Sequence, residues 1–268
     1  MEAILIALLL FLASCGTDPD SKSDDSTSTE PKLVWSDEFN YEGLPDSTKW
    51  THETGGHGWG NNELQYYTAG RRQNANVING KLYITARFEE YEGKLYTSAR
   101  LVTRGKGDWT YGRIDVKAKL PKGTGTWPAI WMLGSNIGTA GWPTCGEIDI
   151  MEHVGYDQGW VHASVHTDTY NHVKGTQRTA KVFSTDVSTD FHVYSLRWTA
   201  DSISVYMDDN KYFTFKKDTN ATNAEWPFNK PQFLLLNIAV GGNWGGVKGV
   251  DQNAFPAVME VDYVRVYR

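Results

Sequence analysis

The chain has 268 residues, 40% of them hydrophobic, which is enough for one large β domain or two small ones with a sizeable core. Its net charge is −6 and its basic residues are scattered, which excludes the electrostatic footprint of a nucleic-acid binder. Two cysteines exclude a disulfide framework, while 11 Trp and 14 Tyr are a surplus that calls for flat apolar surfaces.

From the N-terminus, Ile4 to Leu12 is an apolar run too short to span a bilayer. It ends at Leu12-Ala13-Ser14-Cys15, which resembles the lipobox of bacterial lipoproteins, although Met1-Glu2 stands where a basic stretch is usual. A signal segment is therefore expected over residues 1–15, with Cys15 acylated and the mature chain lipid-anchored at the bacterial cell envelope, on the outer membrane or cell surface. Membrane contact is expected only through that lipid. Residues 16–32, rich in Ser, Thr and Asp with almost nothing apolar, predict a disordered tether. Residues 33–268 are left for the folded domain.

From Leu33 onward there is no long helical periodicity, only short alternating runs. Asn79-Gly80 between Val77-Ile78 and Leu82-Tyr83-Ile84 is a hairpin signal. Ile114, Val116, Ala118 and Leu120 alternate with charged residues as a half-buried strand should, and Ile203, Val205 and Met207 do the same. Leu234 to Val240 and Val258 to Tyr267 predict two further strands. The expected fold is all-β: an antiparallel two-sheet sandwich, or jelly roll, in one monomeric domain. Four tryptophans lie in Gly, Pro or Asn contexts: Trp59, Trp142, Trp226 and Trp244. Such positions suit flat platforms for sugar rings better than core building, though part of the set is expected simply to pin loops.

Three carboxylates fall within Glu147-Ile148-Asp149-Ile150-Met151-Glu152. On a strand, Glu147 and Asp149 share a face, whereas Glu152 would fall beside Ile148 and Ile150, where an unpaired carboxylate is expensive. One inserted residue, a β-bulge at Ile150 or Met151, returns Glu152 to the face of the other two. The plain alternative is an acidic, solvated strand. Against it stand the nearby Trp127, Trp131 and Trp142 and the lack of a neighbouring Lys or Arg. Two glutamates around a shared aspartate suit double-displacement glycoside hydrolysis, which needs a nucleophile and an acid/base at roughly 5–5.5 Å. Cys145 is expected to be a buried free thiol in the strand leading to Glu147. His162 and His166 stand four apart on an apparent strand with no third ligand at helpful spacing, so zinc is set aside; at least one is expected near the carboxylates. No phosphate loop, nucleophile elbow or HExxH motif is present.

Gly146 to His153 resembles the signature of glycoside hydrolase family 16 in its bulged form. Trp127-Pro128-Ala129-Ile130-Trp131-Met132-Leu133, Gly60-Asn61-Asn62-Glu63-Leu64-Gln65 and Asn237-Ile238-Ala239-Val240-Gly241-Gly242 resemble its laminarinases. The resemblance implies a jelly roll with a concave glucan-binding groove, and a retaining endo-β-1,3-glucanase acting on laminarin. Glu147 then resembles the nucleophile, Glu152 the acid/base and Asp149 the helper between them; spacing alone does not order these roles. Trp127 and Trp131 match stacking residues, and Asn61, Arg100, Trp142 and His166 would line the groove. No catalytic cofactor is implied. A structural Ca²⁺ is, at positions matching Glu38, the Gly80 carbonyl and Asp262, with oxygen donors suited to a hard cation. The alternatives are mixed-linkage β-glucan or a galactan as substrate, or a non-catalytic glucan-binding protein, which typically lacks one of the two glutamates.

Overall fold

Alternation sets the layers. In the strand Gly112–Lys119, the side chains of Ile114, Val116 and Ala118 are buried, and Ile203, Val205 and Met207 repeat the pattern in Ser202–Met207. The computed structural model describes residues Pro31–Arg268. The lipobox at Cys15 and nearly all of the expected tether lie outside the described residues. Lys32, expected as tether, already exchanges both backbone hydrogen bonds with Arg268, so regular pairing begins one residue early.

Two sheets face each other. The outer sheet runs, edge to edge, through Asn210–Lys216, Ser202–Met207, His192–Trp198, Gly112–Lys119, Ala257–Tyr267, Lys81–Tyr91, Lys94–Ser98 and Gln65–Tyr67. The second runs through Arg178–Phe183, Trp160–His166, Glu147–His153, Thr126–Gly134, Gln232–Val240, Arg100–Val102 and Thr51–Glu53. Pairing is antiparallel except between Gln65–Tyr67 and Lys94–Ser98. Asn79 and Gly80, with φ of +52° and +71°, make the expected two-residue hairpin turn joining Ala75–Ile78 to Lys81–Tyr91. Among the described residues the only α-helix is the four-residue Ile137–Ala140, and no helix is long and apolar enough to cross a membrane.

The core lies between the sheets, where Val116, Leu196, Val205 and Val264 of the outer layer meet Ile148, Val165, Leu236 and Ile238 of the inner one. Each such side chain contributes roughly 1.5–3 kcal/mol on burial. Gln232–Val240 is buried on both faces throughout, because its far side forms the floor of a cleft. Trp226, expected in a loop platform, is instead 2% exposed and stacked on Phe215 with rings 5.3 Å apart, so it belongs to the core. Cys145 is buried and free as expected, but it sits in the turn before Glu147–His153 rather than in a strand.

Candidate active site

The strand Glu147–His153 carries the bulge. Asp149 pairs with Ser164 and Glu152 with His162, so three steps on this strand match two on its neighbour. On the other side Asp149 pairs with Trp131 and Met151 with Ile130. Ile148, Ile150, Met151 and His153 therefore all turn into the sandwich, whereas Glu147, Asp149 and Glu152 face the cleft together. The cleft, of about 730 Å³, is also lined by Asn61, Arg100, Trp127, Trp131, Trp142 and His166, so every residue expected to bind substrate opens into it.

Each glutamate is held by an indole. Trp142 donates Nε1–H to Glu147 Oε2 at 3.0 Å, and Trp127 donates to Glu152 Oε1 at 3.1 Å. Trp131 donates instead to Asn237 Oδ1 at 2.7 Å. Asn237 donates in turn to the Tyr67 hydroxyl, which donates to buried Glu63. Arg100 is fixed by Glu53 at 2.6 Å and lies over the rings of both Trp131 and Trp59, 4.7 Å from each. Asn61 reaches Glu63 at 3.5 Å.

Trp59 and Trp244, two of the loop tryptophans expected as platforms, line the same cleft, as do Asn237 and Glu63, to which no role was given from sequence. For the two tryptophans the signal was their glycine-flanked loop context. Gly242 and Gly245 let the backbone fold directly over Trp127: a Cβ on Gly245 would lie 2.9 Å from Trp127 Cβ and 2.6 Å from the Gly241 carbonyl. Trp244 then meets Trp127 edge-on at 5.5 Å and His162 at 5.0 Å. His172, likewise unforeseen, closes the other end against Trp142 at 5.0 Å.

Asp149 is 2% exposed and the two glutamates are half-buried. Burial pushes all three carboxyl groups up, each to about 8. The negative charge of Asp149 raises both glutamates further, while His166 and the indole N–H groups of Trp142 and Trp127 pull them back. His166 Nε2 lies 3.2 Å from Asp149 Oδ2 and 3.7 Å from Glu147 Oε1. Three neighbouring acids do not all ionise near neutral pH, so the cluster holds protons that its members share. One glutamate can then donate a proton while the other attacks. Glu147, Asp149 and His166 also offer ligand atoms within 4.8 Å of one another, a proximity that spacing along the chain does not reveal. They are the same groups that make up the proton-sharing cluster.

The residues expected to hold Ca²⁺ lie at neighbouring positions of the outer sheet. Asp37 pairs with Val264 and Leu82 with Val261, so Glu38, Gly80 and the bulged Asp262 each adjoin this paired stretch. The donor set suits a hard cation. Both carboxylates are engaged internally, Glu38 with Arg265 at 2.9 and 2.7 Å and Asp262 with Lys117 at 2.8 Å.

The family model for glycosyl hydrolases family 16 matches residues 59–265. The beta-glucanase of Rhodothermus marinus is 54% identical, over 99% of this chain and 93% of its own. The X-ray structure of the laminarinase from Rhodothermus marinus superposes with a TM-score of 0.87 at 56% identity, covering 89% of this chain and 98% of that one. A mutant of a non-specific endo-β-1,3(4)-glucanase, co-crystallised with a β-glucan oligosaccharide, is 48% identical with a TM-score of 0.86, covering 90% of this chain and 95% of that one.

Proposed function

The chain belongs to glycosyl hydrolase family 16, and on that premise we propose that it is an endo-acting hydrolase of β-1,3-glucan such as laminarin, working with retention by double displacement. The observation that carries this function is the bulge that aligns Glu147, Asp149 and Glu152 at the floor of a tryptophan-lined cleft. Glu147 Oε2 is taken up by Trp142, which leaves Oε1 to attack the anomeric carbon. Glu152 gives its proton to the departing glycosidic oxygen as that C–O bond breaks and a glycosyl ester forms on Glu147. Glu152 then takes a proton from water, whose oxygen attacks the anomeric carbon and frees Glu147. Asp149 and His166 set how the cluster's protons are shared between the steps. No catalytic cofactor is required.

Glu147→Ser is expected to retain laminari-oligosaccharide binding while turnover falls below about a thousandth of the wild-type rate. Proton NMR of the first product should show the β-anomer; an initial α-anomer would reject retention. A second substrate, mixed-linkage β-1,3-1,4-glucan, is supported by the likeness to the non-specific endo-β-1,3(4)-glucanase. Initial rates on laminarin, lichenan, curdlan and agarose separate these cases. The presence of both glutamates speaks against a purely binding role.

Three finer points belong to the same proposal. A structural Ca²⁺ would be held by Glu38, the Gly80 carbonyl and Asp262, with Arg265 and Lys117 displaced. Its support is the neighbouring register of those positions and their oxygen donors, and a Tm unmoved by Ca²⁺ or a chelator would dismiss it. Anchorage at the bacterial cell envelope rests on the lipobox; Cys15→Ala should move the protein from the detergent phase to the aqueous one. The protein is assigned as a monomer, a state that light scattering would test.

A further inference from the structure

We propose that Tyr212 is a positioning residue for glycosidic cleavage, whose hydroxyl holds the backbone bulge that aims Glu152. The proposal rests on the roles of Glu147 and Glu152 given above.

Ile150 is the residue that the bulge leaves over, with no partner in the register of either neighbouring strand. It is fully buried, so its carbonyl needs a donor from within the protein. That donor comes from the opposite sheet: the Tyr212 hydroxyl donates to the Ile150 carbonyl at 3.1 Å, across 62 positions of sequence. Tyr212 reaches it because of a second bulge. In its own strand, Phe213 pairs with Val205 and Lys211 with Tyr206, which leaves Tyr212 as the extra residue. Adjacent residues on a regular strand face opposite ways, so without that bulge Tyr212 and Phe213 could not both turn to the core. Here both do.

Two bulges thus face each other across the sandwich, joined by one hydrogen bond. Burial raises the Tyr212 phenol well above its ordinary range, and the charges of Glu152 and Asp149 raise it further. The hydroxyl therefore stays a donor at any pH at which the protein works, and it lies within the field of the reacting carboxylates. Without the donor, the Ile150 carbonyl is left unsatisfied, and the strand gains by relaxing toward regular pairing. Regular pairing is the register that turns Glu152 away from the cleft. Displacing a proton donor by a fraction of an ångström slows the chemical step without weakening the platforms that bind substrate.

The test is Tyr212→Phe in the full chain, which removes only the hydroxyl. On laminarin, kcat is expected to fall about tenfold with KM unchanged within about twofold. The Tm should fall by about 2–4 °C. On a dinitrophenyl β-laminaribioside, first-turnover release of dinitrophenolate should match the wild type, since that leaving group departs without a proton. Glu152→Gln should show the same contrast in larger measure. Unaltered kcat on laminarin would overturn the proposal, as would a first-turnover release slowed as much as laminarin cleavage, because the loss would then not pass through Glu152. If Glu152→Gln itself kept full laminarin activity, the underlying assignment of roles would fall and Tyr212 with it; that variant identifies which of the two failed.

Discussion

Trp127 and Trp131 face the same cleft from one strand, yet their indole N–H groups have different tasks. The first steadies Glu152 and the second ties Asn237 into the chain that ends at Glu63. Both rings are half-exposed, so their flat faces remain open to sugar. Replacing either by Ala should cost roughly 1–3 kcal/mol in kcat/KM on laminarin, with little change in Tm. Phe substitutions separate the tasks, because they keep a flat face and delete the N–H. Trp127→Phe should lower kcat and move the basic limb of the pH profile upward, since its N–H pulls Glu152 down. Trp131→Phe should act mainly on KM. Identical behaviour of the two Phe variants would refute the division. Ala variants that lose about 3–5 kcal/mol of folding stability while the folded fraction keeps full activity would make both rings core residues instead.

At the scale of elements, what could be read from the chain was whatever left a residue in the wrong place. The bulge at Ile150 was legible because a regular strand would have buried Glu152 beside Ile148 and Ile150, and only an extra residue avoids that cost. The partner bulge at Tyr212 was not, because Tyr and Phe are both tolerated facing a core, so no residue appears misplaced. The hairpin at Asn79-Gly80 was legible because few residue pairs tolerate two positive φ values. Trp226 misled for the converse reason: a Pro neighbour resembles a loop, yet the ring stacks on Phe215 and is buried. The Trp131-Asn237-Tyr67-Glu63 relay left no trace in the chain, since Asn237 and Tyr67 are 170 positions apart and only the fold brings them together. Local chemistry thus pointed to the three carboxylates and to the tryptophans that line one cleft with them. Of the hydrogen bonds that orient them, only the one from Trp142 to Glu147 is local; those from Trp127 to Glu152, Tyr212 to Ile150 and Trp131 to Asn237 span 25, 62 and 106 positions and exist only through the fold.

At the scale of the whole molecule, the same strand makes stability depend on pH in two opposed ways. His153 points into the core, 0% exposed, with Nε2 accepting the Gly159 N–H at 3.2 Å. Burial pushes it down to about 4, with His162 adding to the effect and Asp157 opposing it. The unfolded chain therefore takes up that proton first, and stability falls as pH drops from about 6.5 to 4, by up to about 3 kcal/mol. The three carboxyl groups are raised to about 8, so their sign is opposite. Folded, the cluster keeps protons, shared among its members, that the unfolded chain has released; this contribution is complete below about pH 4 and is lost as pH rises toward 8. Single substitutions separate the two. Glu147→Gln keeps an acceptor for the Trp142 indole and removes one charge, so at pH 8 it should raise the Tm by about 2–4 °C, a gain of about 1 kcal/mol or more. That gain should vanish at pH 4, where the wild-type glutamate is protonated in both states. His153→Gln should flatten the acid side, narrowing the difference in Tm between pH 5 and pH 7. Calorimetry of the three proteins across this range decides the matter. A Glu147→Gln gain that is the same at pH 4 and pH 8 would trace to packing rather than to proton linkage, and the buried carboxyl cluster would then not be what the fold gives up in stability to keep its acids in the cleft.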